Sequence, residues 1–444
     1  MASAISTTTP LLNSFRAATR KRAQIMSCGP WFGSLLTVLA CLMVVAICWY
    51  LASVEPLFEF KSVEFTHPDL VVCIILLAVV ARGVITGFHA LPKALLLPFL
   101  IFFGATLLST AFAVDKVHGL AAIIQELEFV ALAWAFSLVT DRKSFLRILH
   151  FILLVFVIQS LIAAWQFIVM DKIMPTGTFG HHQQYSFYTS SAAVIAFGLL
   201  VSEQTKSKRA LYLLVTPILL MGCLLGQERA TWLSFVIGAL AVVWYSGRKR
   251  KRLLIAFAAT MLGAVLLVVS IRPLREATID RITAAEASTA RENSLLSRLI
   301  MWKIAFDMFT QHPILGVGPK NFQVLVPHYA SRQDMQGNEK EDAHNIWIQM
   351  LAEQGIVGFV TYVIFVWSIV RLATTELRSP GLPASARPLC FAYIGFFFFW
   401  LAMSYPFFLK GIGHIQFLII GLMLGLRHSL STQRSMGLSV PLSS

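Results

Sequence analysis

Charge is what this sequence has least of. Only 13% of its 444 residues are charged, while 57% are hydrophobic; a soluble domain carries about 25% charged residues. Apolar runs long enough to cross a ~30 Å hydrocarbon core recur from end to end. That excludes a soluble globular chain. It also excludes a closed β-barrel, which would show alternating segments of about ten residues. In lipid, an apolar run satisfies its backbone by coiling, so the expected fold is an all-α polytopic membrane protein.

Cysteine is scarce and poorly placed for chemistry. Cys28, Cys41, Cys48, Cys73, Cys223 and Cys390 all lie inside or beside apolar runs, which implies neither a disulfide framework nor a thiolate metal site. A P-loop, a GxSxG and an HExxH are all missing. No small-residue cleavage pattern follows Arg16, Arg20, Lys21 and Arg22, so residues 1–30 are expected to be a basic cytoplasmic tail and not a cleaved leader.

What is present is a ladder of about twelve spans, roughly at 31–52, 69–87, 93–113, 117–140, 145–170, 185–202, 209–226, 230–246, 253–271, 344–371, 388–408 and 413–428. The expected organisation is therefore spans one to nine over 31–271, a large periplasmic loop over 272–343, spans ten to twelve over 344–428 and a cytoplasmic tail over 429–444. Lys and Arg mark the cytoplasmic side. With the N-terminus inside, Arg142, Lys143, Lys206, Lys208, Arg209 and the run Arg248 to Arg252 all fall on inner connections. Most of the +14 net charge is therefore a topology signal, not a nucleic-acid surface.

The loop 272–343 is the exception. It carries nine bases and nine acids, and so long a loop is exempt from the charge rule. Within it SRLIMWKIAFDMFTQHP predicts an amphipathic helix along the outer membrane–water boundary, with Trp302 at headgroup level. Arg298, Trp302 and Ala305 fall on one face, and His312-Pro313 ends it. A glycine-rich turn, GVGPKNF, then presents Lys320.

Several outer-face groups invite chemistry, each beside a plainer alternative. Arg229, in GQERATW, is either a bidentate phosphate contact or the partner of neighbouring Glu228. Arg298 is either a second phosphate contact or a solvated charge. His181, His182 and Gln183, in TGTFGHHQQYS, offer sugar or phosphate contacts or simply a polar loop; adjacent histidines are weak metal spacing. His344 falls where the tenth span begins, in EDAHNIWIQMLAEQGIVG, and is expected in the first turn of a helix starting near Asp342. Asn345, Gln349 and Glu353 would extend a polar stripe roughly 12 Å inward at 1.5 Å per residue, facing protein or a water-filled cavity. Gly355 and Gly358 would let another helix approach. His344 is then a general base or an interfacial polar residue. Glu126 and Glu128 project from different faces of the fourth span. No DxD or paired-carboxylate cluster lies on the outer face, which argues against a metal-dependent sugar-nucleotide enzyme.

These elements resemble the O-antigen ligase and polymerase superfamily of bacterial envelope glycosyltransferases. The His344-Asn345, IWIQMLAEQ, Gly355 arrangement is similar to the family's ligase signature, and SRLIMWKIAFDMFTQHPILGVGPKNF to the block before it. GQERATW and TGTFGHHQQYS resemble its upstream elements, although the latter has Gln where many relatives have Pro-Asn or Asn. The likeness spans roughly 175–360 and implies a GT-C-like layout in the bacterial inner membrane with a periplasmic site. It implies transfer of a glycan from undecaprenyl pyrophosphate to a sugar hydroxyl of lipid A–core, with membrane lipids as surroundings, no nucleic acid, no cofactor and no metal. It places the essential histidine at His344 and the pyrophosphate-binding arginines at Arg229 and Arg298. His181, His182, Gln183, Trp302, Lys320 and Asn345 are further substrate-contact candidates. An O-antigen polymerase or a protein-directed oligosaccharyltransferase would share the donor chemistry. A transporter or flippase would instead predict an internal repeat and interrupted helices at the midplane.

Overall fold

The computed structural model describes residues 30–435, except 53–55, 61–62, 89–90, 92, 140, 204, 246–249, 274, 277–278, 280–293, 331–341 and 378–410. The elements follow the apolar runs: α1 (Pro30–Leu51), β1 (Phe58–Phe60), β2 (Val63–Phe65), α2 (His67–Thr86), α3 (Lys93–Ala111), α4 (Lys116–Phe136), α5 (Arg142–Val169), α6 (His182–Ser202), α7 (Lys206–Leu225), α8 (Arg229–Tyr245), α9 (Arg250–Ser270), α10 (Ser294–Gln311), α11 (Phe322–Tyr329), α12 (Ile346–Leu377) and α13 (Ile412–Ser435). Eight of them, α1 to α7 and α12, are long and apolar enough to cross a membrane, and α8 and α13 carry shorter apolar stretches. The protein is a multi-pass helical membrane protein. Every expected span that falls on described residues is a helix. The expected span 388–408 lies outside the described residues, as do residues 1–29 and 436–444.

Two details differ from the sequence-based expectation. β1 and β2 form a small antiparallel hairpin, with Phe58 opposite Phe65 and Phe60 opposite Val63, between α1 and α2. The last helix also continues to Ser435, past the expected end at 428. Among the described residues Cys41, Cys48, Cys73 and Cys223 are free thiols.

Leu77, Val84, Ile85, Leu97 and Leu214 are exposed on the outside of the bundle, as expected of side chains bathed in lipid. By contrast α6 is buried along nearly its whole length. Small residues let its neighbours close on it: Gly222 and Gly226 of α7 and its end leave no room for a Cβ against Thr189 and Ser186. On the other side of the molecule α4 and α13 run parallel. Gly413 lies on Phe129, Gly421 on Ala133 and Gly425 on Val139, so one glycine-lined stripe seats the last helix.

Pairings between helices fix the two ends of the bundle. Along α3 and α12, Phe99 packs against Phe365, Phe102 against Tyr362, and Thr106 reaches Gln354, so the two are antiparallel. Parallel α5 and α7 meet at His150 and Tyr212, 2.7 Å apart, and again where Gly222 faces Ser160. The basic starts of α5 and α7 therefore share one end. The turn 112–115, the loop 170–181, the turn 226–228 and the segments 312–330 and 342–345 gather at the other. The charge asymmetry read from the sequence is thus an asymmetry of the folded bundle.

The glycine stripe is testable by thermal unfolding in detergent. A Cβ at Gly421 would stand 2.6 Å from the Ala133 carbonyl oxygen, whereas nothing lies within 4 Å of one at Gly104. Gly421→Val is expected to lower stability by about 1–3 kcal/mol, and Gly104→Ala to hold or slightly raise it. Equal stability of the two variants would remove the stripe as a packing device.

Candidate active site at the loop-bearing end

The site is built on a break in α12. Gly355 has φ 61° and ψ −164°, a conformation open to glycine alone. Two helical hydrogen bonds are opened there, and the turn 313–318 takes over both ends of each. The N–H groups of Ile356 and Val357 donate to the carbonyls of Pro313 and Ile314, at 2.9 and 3.3 Å. The carbonyls of Ala352 and Glu353 accept from Val317 and Gly318, at 3.0 and 2.8 Å. Gly316, with φ 68°, lies so close to the Glu353 backbone that a Cβ would not fit. Gly355 therefore does not seat another helix, as its spacing suggested. It admits an extended turn, and Gly358 is covered by the Gln354 side chain of its own helix.

Glu353 then fastens the turn from inside. Its two carboxylate oxygens accept from the Lys320 and Phe322 N–H groups, at 3.0 and 3.2 Å. Gln349 donates one N–H to Glu353 at 3.1 Å and the other to Asp342 at 3.2 Å, and its oxygen accepts from the Ala343 N–H at 3.4 Å. The neighbouring turn is held by Asn321, whose side chain accepts from the Asp115 N–H at 2.7 Å and donates to its carbonyl at 3.1 Å. The polar stripe of α12 thus faces protein.

His344 sits just before the helix, not in its first turn. The α-helix begins at Ile346 because the Asn345 side chain accepts from the Trp347 and Ile348 N–H groups, at 3.0 and 3.3 Å, as an N-cap does. His344 itself has φ 49°, a left-handed conformation that is uncommon outside glycine. Its segment is pinned on two sides, since Trp302 Nε1 also donates to the Ala343 carbonyl at 2.8 Å. Asp342 is buried beneath it. Burial pushes the Asp342 carboxyl above the usual carboxylate range, against the Gln349 hydrogen bond and the nearby charges of His344 and Lys320.

The arginines lie at an adjoining corner. Arg298, on α10, makes a 3.9 Å ion pair with Glu228, the residue before Arg229 at the start of α8. The pair is too long for a hydrogen bond. Gln227, at φ 53°, donates to the Ile173 carbonyl at 2.9 Å, joining this corner to the loop that leads into α6. There Gln166 and Gln159 hold Thr176, Gly177 and Thr178. His181 caps α6 by accepting from the Gln183 N–H at 3.3 Å, and its ring lies 4.6 Å from that of His182.

Residues 214–363 match the family model described as O-antigen ligase. The match covers about a third of the chain and is a likeness over that segment. No curated protein matches the chain. The ligase segment runs from α7 through the break in α12, so it contains Arg229, Arg298, Trp302, Lys320, His344 and Asn345 and leaves out His181, His182 and Gln183.

Within the ligase segment the fold brings most of the expected residues into one connected end. Arg298, Trp302 and Ala305 share one face of α10, as their spacing implies, but that face turns into the protein, where Trp302 bonds to the Ala343 carbonyl instead of sitting at headgroup level. Lys320, at φ 56°, lies near enough for its charge to favour the ionised Asp342 carboxyl. The network also enlists residues that sequence reasoning passed over. Asp342 is one loop acid among nine, and only its burial singles it out. Asn321, in GVGPKNF, looks like ordinary turn chemistry until its contact with Asp115 is visible.

One group among the described residues has the composition of a metal site. Asp69, Glu128 and His414 place ligand atoms within 4.8 Å of one another. The hydrogen bonds favour another reading. His414 Nδ1 accepts from the Gly411 N–H at 3.0 Å, so the ring proton belongs on Nε2, which lies 3.0 Å from Glu128 and 3.7 Å from Asp69. A ligating histidine normally donates through its second nitrogen; this one accepts. The trio fastens α2, α4 and α13 together.

Two measurements check this geometry. Gly355→Ala is expected to lose about 1–3 kcal/mol from backbone strain, and more from the clash with Ile314, seen as a lower melting temperature; an unchanged value would contradict the inserted turn. The raised Asp342 carboxyl adds stability at acid pH that is lost as pH climbs through its folded value. The melting temperature of Asp342→Asn should therefore rise relative to the parent as pH increases from about 4. A pH-independent difference would show that the carboxyl is not perturbed.

Proposed function

We propose that the protein is an O-antigen ligase of the bacterial inner membrane, with its site facing the periplasm. It would transfer a glycan from undecaprenyl pyrophosphate to a sugar hydroxyl of lipid A–core. The observation that carries this reading is the convergence, inside the ligase-family segment, of His344 with the Arg229–Glu228–Arg298 corner at the end of the bundle opposite its basic helix starts. Exposed Leu299, Phe306 and Ile314 suit an end that lies against lipid headgroups, where a lipid-borne donor arrives.

In this mechanism His344 takes the proton of the acceptor hydroxyl. The hydroxyl oxygen attacks the anomeric carbon from the face opposite the pyrophosphate and inverts it. The carbon–oxygen bond to phosphate breaks, and its electron pair leaves with the pyrophosphate. Arg229 and Arg298 offset the charge that grows there, so no metal ion is required. Trp302 and Asn345 hold the His344 segment, and Lys320 balances buried acids beside it. His181, His182 and Gln183 line the approach from the α6 side.

Reconstitution with purified undecaprenyl-pyrophosphate glycan and lipid A–core, in EDTA, should give product ladders on the core. His344→Ala should lower the rate on the order of 10²–10⁴-fold, and full activity would remove the general base. Arg229→Ala and Arg298→Ala should each be slower than the matching Lys variants, because a guanidinium fork is lost in both but the charge only in the first. Near-normal rates for all four would take the arginines out of the site. Activity lost in EDTA and restored by a divalent ion would overturn the metal-free step.

A further inference from the structure

We infer that Asp342 is the positioning carboxylate of His344, stabilising the imidazolium formed when His344 takes the acceptor proton. This rests on the general-base reading above and names the group that makes such a base work. The charged or titratable groups facing Asp342 are His344 from its own segment, Lys320 from the 316–321 turn, and Glu353 from α12. Asp342 is buried, and Gln349 fixes Oδ1 through a hydrogen bond of 3.2 Å. Gln349 is itself oriented, because its two N–H bonds are divided between Asp342 and Glu353 and its oxygen faces the Ala343 N–H. The Ala343 carbonyl is tied to Trp302. The backbone between the carboxylate and the imidazole is therefore held from both sides.

The two acids divide the work. Glu353 accepts from the backbone at Lys320 and Phe322 and from Gln349, and so acts as a structural clamp. Asp342 accepts no backbone hydrogen bond among those described; the Gln349 and Gln323 side chains bond to it, and His344 and Lys320 are the basic groups near it. During transfer the acceptor proton moves to the imidazole, the hydroxyl oxygen bonds to the anomeric carbon, and the pyrophosphate leaves with the electron pair. The imidazolium so formed sits beside a buried negative charge, where Coulomb attraction is stronger than in water.

The test is the pH–rate profile of the reconstituted full-length enzyme, for the parent, Asp342→Asn, Asp342→Glu and His344→Ala, with donor KM and melting temperature measured in parallel. Asparagine keeps an acceptor for Gln349 and removes the charge. Asp342→Asn should lose on the order of 10²–10⁴-fold in kcat with donor KM within about twofold. Its acidic limb should move to lower pH by about one unit, since a nearby opposite charge is worth that or more. Asp342→Glu should recover part of the rate and the original limb. If His344→Ala is inactive while Asp342→Asn keeps the parental rate and limb, the base survives and this inference fails. If His344→Ala is active, the base reading fails and takes this inference with it. If both Asp342 variants fail to fold, or lose rate with no movement of the limb, Asp342 is a structural residue and the inference is overturned.

Discussion

The structure turns on a helix that is broken and mended within the space of two hydrogen bonds. At Gly355 the ladder of α12 opens, and the backbone of residues 313–318 slips in to satisfy the four freed groups. A buried backbone group without a partner is costly in any protein and more so near lipid. The inserted turn therefore has almost no freedom of position. Everything chemical at this end inherits that rigidity: Glu353 grips the turn from within, Gln349 passes the constraint to Asp342, and Asn345 starts the helix directly behind His344. His344 is thereby mounted on a backbone that Trp302, Gln349 and Asn345 hold on both sides of it.

That arrangement fits transfer from a lipid-borne donor. In the proposed reaction the acceptor would lose its proton where water is scarce, and fixed positive charge would meet the leaving diphosphate. The His344 segment and the arginine corner hang on shared elements, since α10 carries both Arg298, which reaches Glu228, and Trp302, which holds the Ala343 carbonyl. Both contacts leave the same face of one helix, which is seated by the packing of Met301, Ile304 and Met308 with Phe322 and Val326.

Much of this was legible in the residues. Apolar runs gave the helices to within a few positions because lipid enforces their length, and the basic starts of α5 and α7 marked one pole of the bundle. The spacing of Arg298, Trp302 and Ala305 put the three on one face of α10 but did not reveal that this face turns into the protein. What stayed hidden depends on contacts distant in sequence. Gly355 in a helical pattern reads as a packing surface unless the segment around Ile314 is known to lie on it. Helical periodicity carried His344 into a first turn, although Asn345 is itself a good N-cap and could have shifted the start to Ile346. The alternation of Phe58, Glu59 and Phe60 with Val63, Glu64 and Phe65 was a period-two signal overshadowed by the long runs on either side. The pairing of α4 with α13, and the trio of Asp69, Glu128 and His414, join segments far apart in the chain, which a single sequence does not reveal.

The central claim is a location: the diphosphate of the donor lipid is held at the Arg229–Glu228–Arg298 corner, within reach of His344. The most direct measurement is a cryo-electron microscopy map of the protein in lipid nanodiscs with undecaprenyl pyrophosphate bound. The account predicts phosphate density against the Arg229 and Arg298 guanidinium groups, with the prenyl tail running down the outside of the bundle. Density at the opposite end, against the basic starts of α5 and α7, would contradict it.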